Sequence, residues 1–157
     1  MHVRDLMTPN PITVQLDTPV DTIAQLLLDH RINGVPVINK NNQLLGIVTA
    51  EDLIHRAADE RLEPRESIWK ENFWVSYFSP RGSKPGKAEG RTAAEVMSSD
   101  VRTIAPNISP SEAARQMVDY HIKSLPVVED NKLIGIIARA DLLKYLHALE
   151  NPLKRID

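Results

Sequence analysis

Residues 34–53 read GVPVINKNNQLLGIVTAEDL, and this stretch decides the fold. Two runs rich in valine, leucine and isoleucine flank the Asn-rich segment KNNQ, a pattern that predicts two β-strands joined by a turn. The segment AEDLIHRAADERL, residues 50–62, follows the second run directly and is predicted to be helical. The local unit is therefore a β-hairpin that leads straight into a helix.

The same unit occurs a second time as SLPVVEDNKLIGIIARADLL, residues 124–143. A shift of 90 residues aligns Met7 with Met97 and Pro36 with Pro126. After one deletion in the turn, a shift of 89 aligns Gly46 with Gly135 and Asp52 with Asp141. Matches in the same order over about fifty residues indicate an internal duplication.

Each copy also has an upstream strand and helix. The strands are predicted at PITV, 11–14, and VRTI, 101–104. The helices are predicted to start at Thr18-Pro19-Val20-Asp21 and Ser109-Pro110-Ser111-Glu112, where a hydroxyl cap precedes a proline and an acid. Helical spacing predicts one apolar face in each copy, formed by Ile23, Leu26 and Leu27 in the first and by Ala113, Met117 and Tyr120 in the second.

The predicted fold class is α+β, with two strand-helix-strand-strand-helix repeats. One copy is small for a core without disulfides, so we expect the copies to pack sheet to sheet around a pseudo-twofold axis. The predicted divisions are repeat 1 at 1–59, an aromatic insert and linker at 60–91, and repeat 2 with a C-terminal helix at 92–157.

The insert differs sharply in composition from the repeats. It holds five of the seven aromatic residues of the chain: Trp69, Phe73, Trp74, Tyr77 and Phe78. Their spacing of four residues predicts a helix with a broad apolar face. The following segment, 79–91, contains three of the six glycines and is predicted to be a flexible linker.

Composition excludes several classes of protein. The chain has 157 residues, a formal net charge of −2 and no cysteine. The absence of cysteine excludes disulfides and thiolate metal sites. The negative net charge makes nucleic acid an unexpected partner. The longest apolar run has six residues, 133–138, too short to cross a membrane. The N-terminus lacks the apolar stretch of a signal peptide, so we expect a cytoplasmic protein.

Catalytic signatures are also missing from the sequence. It contains no Gly-x-Ser-x-Gly, His-Glu-x-x-His, P-loop or Gly-x-Gly-x-x-Gly motif. The five histidines are scattered, and none pairs with a carboxylate at the spacing of a metal site. We therefore predict no catalytic residue, no metal site and no enzymatic activity.

The best candidate site is GIVTAED, residues 46–52, where a strand runs into a helix. Free N–H groups at a helix N-terminus attract anions, and Thr49 adds a hydroxyl there. Asp52 offers two acceptor oxygens that suit a vicinal diol such as a ribose. The alternative is a capping box, because Thr-x-x-Asp before an apolar run needs no ligand.

The second copy keeps the carboxylate at Asp141 but replaces the hydroxyl with Ala138, so this carboxylate is predicted to lack its capping partner. Arg139 then lies in the first helical turn, where the helix dipole disfavours a cation. A bound anion would remove this conflict, and so would an arginine that extends into solvent.

Two stretches before prolines also recur, NGVP at 33–36 and KSLP at 123–126. The proline holds the preceding residue in extended geometry, and a small residue before it lets a flat ligand approach the backbone. A simple strand entry explains the same pattern.

On these residues both copies resemble cystathionine-beta-synthase (CBS) domains, and the pair resembles a Bateman module. The resemblance covers about 2–55 and 92–150 and is carried by Met7 and Met97, by VPV and LPV, and by Gly-x-x-Thr-x-x-Asp. It implies a regulatory module that binds an adenosine ligand (AMP, ADP, ATP or S-adenosylmethionine) between the repeats, holds no tightly bound cofactor, forms a homodimer and signals to a regulated protein partner.

The resemblance also implies roles for single residues. Thr49 would contact phosphate, while Asp52 and Asp141 would contact ribose. The other predicted wall positions are Thr13, Thr18, Gly34, Val35, Lys123 and Ser124, and Arg139 or Lys123 would replace the hydroxyl missing at Ala138.

Two other functions stay open at the level of sequence. The chain is an interaction scaffold without a small ligand if the aromatic face from Trp69 to Phe78 is a docking surface. It binds single-stranded nucleic acid if those aromatics stack on bases beside Lys70, Arg81, Lys84 and Lys87, although the negative net charge opposes this.

Overall fold

The computed structural model describes residues 1–59 and 91–150. The chain divides into two compact units. The first-repeat unit is Ile12–Val101, and the second-repeat unit is Met1–Pro11 together with Arg102–Asp157. Both combine helices with antiparallel strands, so the α+β class and the two repeats predicted from sequence are confirmed.

The first-repeat unit is built on one antiparallel hairpin. Its elements are α2 (Val20–His30), β2 (Gly34–Ile38), β3 (Leu44–Thr49), α3 (Ala50–Asp59) and the short α4 (Ala93–Val96). The hairpin pairs Gly34 with Thr49 and Val37 with Gly46. Among the described residues of this unit every buried side chain is apolar, and Ile23, Val35 and Val48 are fully buried.

The second-repeat unit repeats this plan with an extra short strand. Its elements are α1 (Val3–Leu6), β1 (Thr8–Pro9), α5 (Pro110–Asp119), β4 (Ser124–Glu129), β5 (Lys132–Ala138) and α6 (Arg139–Glu150). The sheet has the order β1-β5-β4, with all pairs antiparallel. Leu125, Val127 and Ile137 form the centre of its core.

Both predicted hairpins are confirmed, and their turns differ in length. Asp130 and Asn131 have positive φ angles of 51° and 64°, which suit a two-residue turn. The first turn is longer, and Asn39 organises it by accepting hydrogen bonds from the N–H groups of Asn41 and Gln43 at 2.9 and 3.0 Å. Asparagine is favoured here because its side chain replaces backbone partners.

The predicted upstream strands PITV and VRTI are wrong as strands, because each is reduced to one parallel bridge. Val14 bridges Val37, and Ile104 bridges Val127. The Val14 N–H donates to the Pro36 carbonyl at 3.0 Å. The next pair of backbone hydrogen bonds toward the N-terminus of this strand would need an N–H from Pro36, which proline lacks. Pro126 imposes the same limit on the second copy.

The two helix starts also differ from each other. Ser109 is the N-cap of α5, as predicted, and its Oγ accepts the Glu112 N–H at 3.2 Å with Pro110 in the first turn. Thr18 is not a cap, because α2 begins one residue later than the motif predicts and Pro19 is at the N-cap. The Thr18 Oγ1 instead accepts the Gln15 N–H at 3.0 Å.

Ser109→Ala should lower the free energy of unfolding by about 1 kcal/mol, because the Glu112 N–H loses its side-chain acceptor. Ser111→Ala is the matched control, since this exposed serine lies in the same turn and makes no side-chain hydrogen bond within the described residues. Urea unfolding measures both. Equal losses in the two variants would contradict the cap.

The predicted apolar helix faces are confirmed except at one position. Ile23, Leu27, Ala113 and Met117 are buried. Tyr120 is 45% exposed at the C-cap of α5, and the guanidinium of Arg102 lies 3.1 Å from its ring centroid. The helix ends there, so Tyr120 no longer follows the helical periodicity that placed it in the core.

The segments that precede the two repeats, 1–11 and 91–101, form two lead-ins. Each packs in the unit that contains the other repeat. In the first lead-in the Val3 N–H donates to the Ile108 carbonyl at 2.8 Å, and Arg4 forms a 2.6 Å ion pair with Glu129. In the second, Ile47 and Ser98 exchange backbone hydrogen bonds of 3.0 and 2.9 Å. The sequence repeats and the compact units therefore have different boundaries.

A methionine of each lead-in packs on a glycine of the adjacent strand. A Cβ at Gly46 would lie 2.7 Å from both Met97 Sδ and the Ser98 carbonyl oxygen. A Cβ at Gly135 would clash with Met7 Sδ and lie 3.0 Å from the Thr8 carbonyl oxygen. The methionines and glycines that recur in both repeats are thus in contact, and each methionine packs on the glycine of the other repeat.

The predicted aromatic helix and linker at 60–91 lie outside the described residues except for Arg91. The same holds for the docking surface from Trp69 to Phe78. Among the described residues, no helix has the length and apolar character needed to cross a bilayer.

Candidate functional site

The junction between β3 and α3 holds the best candidate site. The Asp52 N–H donates to Thr49 Oγ1 at 3.1 Å, and the Thr49 N–H donates to Asp52 Oδ2 at 2.9 Å. This reciprocal pair of hydrogen bonds is a capping box, so the alternative explanation of the Thr-x-x-Asp motif, which needs no ligand, is confirmed. Both side chains are half-buried. Asp52 Oδ1 makes no hydrogen bond within the described residues.

The second-repeat unit has half of this arrangement. The Ala138 N–H donates to Asp141 Oδ2 at 2.8 Å. The prediction that the Asp141 carboxylate lacks a capping partner is therefore wrong, because the partner is a backbone amide and needs no hydroxyl. Only the bond from the helix back to the cap is lost with Ala138. The recurrence of the aspartate thus has a structural cause in both units.

The fixed carboxylate still has chemical capacity. An ionised carboxylate has about four acceptor positions on its two oxygens, and the cap uses one. Because the cap immobilises Asp52, the unused Oδ1 is held in one orientation without losing further side-chain entropy. A vicinal diol could donate to such a group.

Gly34 lies directly beside this junction. It is the strand partner of Thr49, and a Cβ at Gly34 would lie 3.2 Å from Thr49 Cγ2. The Asn33 carbonyl accepts the Ala50 N–H at 2.8 Å, which joins the start of β2 to the start of α3. Val35 is fully buried, so only its backbone can face a ligand. The structure therefore brings together Gly34, Thr49 and Asp52.

The corresponding place in the second-repeat unit joins Ser124 and Lys123 to the start of α6. Ser124 is the strand partner of Ala138, and the Lys123 carbonyl accepts the Arg139 N–H at 3.2 Å. Lys123 is exposed and Ser124 is half-buried. The backbone geometry of the first unit thus recurs with different side chains.

Arg139 is separated from Asp141 around the helix. Two residues along an α-helix correspond to about 200° of rotation, so the two side chains start on opposite faces of α6. The Arg139 side chain lines a groove with Leu143 and Leu146, away from the carboxylate. The two residues proposed to share the second site are therefore not brought together on one face.

The two threonines upstream have different surroundings. Thr13 is half-buried and precedes Val14, the residue of the parallel bridge to β2. Thr18 is half-buried, and its carbonyl accepts the Ala93 N–H of the second lead-in at 2.9 Å. Because its hydroxyl already accepts the Gln15 N–H, Thr18 has less capacity for a ligand than the sequence suggests.

Residues 1–59 and 91–150 contain no group of three or more His, Asp or Glu side chains placed to share a metal ion. They do contain a feature that the sequence pattern did not predict, the groove beside Arg139. The exposed leucines at 143 and 146, three residues apart on α6, were the available signal.

Fold and site together define a class of protein: a duplicated α+β chain in which each repeat has a carboxylate cap where its hairpin enters a helix. The family model for the CBS domain matches residues 3–59 and 93–148. The chain therefore belongs to the CBS-domain family.

Comparisons with individual proteins agree with this assignment. The uncharacterized protein MJ1426 from Methanocaldococcus jannaschii is 30% identical over an alignment 157 positions long. The alignment covers 93% of this chain and 91% of the relative. A crystal structure of a Vibrio cholerae protein assigned to acetoin utilization (AcuB) is similar with a TM-score of 0.74 at 26% identity, covering 100% of this chain and 98% of the other.

A third comparison includes a ligand. The crystal structure of CBSX2 in complex with AMP is similar with a TM-score of 0.73 at 27% identity, and the match covers 95% of this chain and 98% of the other. The sequence of chloroplastic CBSX2 from Arabidopsis thaliana is 30% identical to this chain, and the match covers 62% of that relative.

Many curated relatives are longer than this chain. The chain spans 58% and 42% of two archaeal relatives. Some longer relatives are enzymes, of which it covers less than a quarter.

Proposed function

We propose that this protein is a regulatory module that binds an adenosine ligand of the class AMP, ADP, ATP or S-adenosylmethionine. The observation that carries the proposal is the AMP complex of CBSX2, a protein of the same family with a TM-score of 0.73 at 27% identity. The role is ligand sensing rather than catalysis.

The first-repeat unit carries the better-equipped of two proposed sites. Asp52 would accept the ribose hydroxyls through the oxygen that the cap leaves unused, while Thr49 and the first-turn N–H groups of α3 would face phosphate. Gly34 and the backbone of Val35 would flank the nucleoside because neither presents a large exposed side chain there.

The second-repeat unit would carry a weaker second site. Asp141 keeps its carboxylate and its cap, but Ala138 removes one hydroxyl from the phosphate side. Lys123 and Ser124 would line the phosphate side of the second site instead. In the first unit, Thr13 and Thr18 would be secondary wall positions. The proposal further includes a homodimer acting in the cytoplasm on a protein partner, and sedimentation of the purified chain tests the oligomer.

A thermal-shift panel with AMP, ADP, ATP and S-adenosylmethionine tests the function. A ligand at ten times its Kd should stabilise the fold by about 1.4 kcal/mol. For a chain of this size this corresponds to a rise in Tm of about 3 to 6 °C. GMP, matched in charge to AMP, is the control. No shift with any adenosine compound, or an equal shift with GMP, would reject the proposal.

A further inference from the structure

Four methionines hold all the sulfur of this chain, because it has no cysteine. Met1 is 59% exposed and Met117, in the core of the second-repeat unit, is 3% exposed. Met7 and Met97, the methionines of the two lead-ins, are half-buried. The lead-ins therefore carry the two sulfurs that combine access to solvent with a packed contact.

The two lead-in methionines have the same place in the backbone. Each is the C-cap of a one-turn helix, α1 or α4, with ψ angles of 155° and 151°. The residue after each methionine pairs with a strand: Thr8 pairs with Ile136 of β5, and Ser98 pairs with Ile47 of β3. Each methionine is thus at the point where a lead-in joins its strand.

The methionine side chains fill the space that a glycine leaves on the strand. A Cβ at Gly46 would lie 2.7 Å from Met97 Sδ and 3.1 Å from Met97 Cγ. At Gly135 the Cβ would lie 3.0 Å from Met7 Cγ and would clash with Met7 Sδ. Both side chains also pack against the hydrophobic core of their unit. Each sulfur is therefore in an apolar contact without room for another heavy atom on the strand side.

Hydrogen peroxide converts such a sulfur into a polar group. The thioether sulfur forms a bond to one peroxide oxygen, the O–O bond breaks, and the second oxygen leaves as water. Methionine is oxidised by two electrons to the sulfoxide, and the peroxide is reduced. The sulfoxide oxygen is a hydrogen-bond acceptor, so it favours water over contact with a glycine and an apolar core.

The backbone pairing beside Met97 depends on this contact. The Ile47 and Ser98 N–H groups donate to each other's carbonyls at 3.0 and 2.9 Å. Ser98 is exposed, so its own side chain contributes little burial to the pairing. Met97 is the adjacent residue that packs on the core, and the loss of its packing should expose both hydrogen bonds to water.

We propose that Met7 and Met97 are sites of reversible oxidation, and that their sulfoxides loosen the lead-ins from β5 and β3. The oxidant is a peroxide. A methionine sulfoxide reductase returns the thioether, because the sulfoxide oxygen leaves as water while two thiols of the reductant become a disulfide. The proposal concerns the lead-in contacts and does not depend on nucleotide binding.

The test treats the full-length chain with hydrogen peroxide and follows each methionine by peptide mass spectrometry. Met7 and Met97 should gain an oxygen at least about tenfold faster than Met117, because exposure governs the rate. The Tm should then fall by about 3 to 6 °C, as expected for polar groups forced into packed contacts. Hydrogen exchange at the Ile47 and Ser98 amides should accelerate by about tenfold or more.

Leucine variants assign the effect to these two sulfurs. A chain with both Met7→Leu and Met97→Leu keeps apolar side chains of similar volume, so it should fold and should lose no stability in peroxide. Met117→Leu is the matched control, since it makes the same change in the core and keeps both lead-in sulfurs. Its Tm should fall in peroxide as much as that of the wild type.

Reductase and dithiothreitol should restore the Tm of the oxidised wild type, and this measurement needs no variant to fold. The proposal is overturned if oxidised and reduced wild type have the same Tm, or if Met117 is oxidised as fast as Met7 and Met97. It is also overturned if the double leucine variant loses as much stability in peroxide as the wild type, or if the reductase leaves the Tm low.

Discussion

Asp52→Asn is expected to weaken AMP binding by about ten- to a hundredfold and to leave the fold intact. The asparagine oxygen can still accept the Thr49 N–H, so the cap survives. Its amide nitrogen replaces the unused carboxylate oxygen with a donor, which cannot accept a ribose hydroxyl. Hydrogen bonds to a charged group contribute about 1.5 to 3 kcal/mol, which gives the expected loss of affinity. Isothermal titration calorimetry measures it.

Asp5→Asn is the control matched to this change. Asp5 Oδ2 accepts the His2 N–H at 2.8 Å, the same contact between a first-turn carboxylate and the N-cap amide, and Asp5 is not a proposed ligand residue. Its substitution should leave AMP affinity unchanged. Asp141→Asn should weaken binding less than Asp52→Asn, because the second site lacks the hydroxyl. Wild-type affinity in Asp52→Asn would remove Asp52 from the site.

Gly46→Ala is expected to lower the free energy of unfolding by about 1 to 3 kcal/mol, the usual cost of forcing an extra methyl into a packed site. The new Cβ would lie 2.7 Å from the Ser98 carbonyl oxygen. That carbonyl accepts the Ile47 N–H at 3.0 Å, so it cannot move away without weakening the bond that holds the second lead-in. Urea unfolding of the full chain gives the value.

Gly34→Ala and Gly135→Ala serve as comparisons. The nearest atoms to a Cβ at Gly34 are 3.2 Å away, so this substitution should cost less. At Gly135 the closest atom is the Met7 sulfur, which belongs to a flexible side chain. Met7→Ala should therefore relieve much of the cost of Gly135→Ala in a double-mutant cycle, whereas Met97→Ala should relieve less of the cost of Gly46→Ala. Equal stability of Gly46→Ala and wild type would contradict the contact.

The candidate site could be predicted only in part from sequence. Thr49 and Asp52 form the local motif that the spacing suggested, because a capping box depends on neighbours three residues apart. The same spacing could not decide whether the carboxylate was available to a ligand, since that depends on which oxygen the cap consumes. Arg139 is predicted to replace the hydroxyl missing at Ala138 because it lies in the first helical turn, although the helical rotation between Arg139 and Asp141 separates their side chains.

The sequence by itself determined the two hairpins, the helices that follow them and the duplication, because these features rest on local alternation, turn residues and helical spacing. Only the tertiary structure decided that each lead-in completes the unit of the other repeat. It also decided that the strands at 11–14 and 101–104 shrink to single bridges. The physical reason is the same in both cases, because the deciding interactions join segments that are distant in sequence. Each lead-in packs a methionine on a glycine about 130 or 50 residues away, and each bridge is limited by the missing N–H of a proline on the neighbouring strand. Local sequence patterns do not encode such contacts.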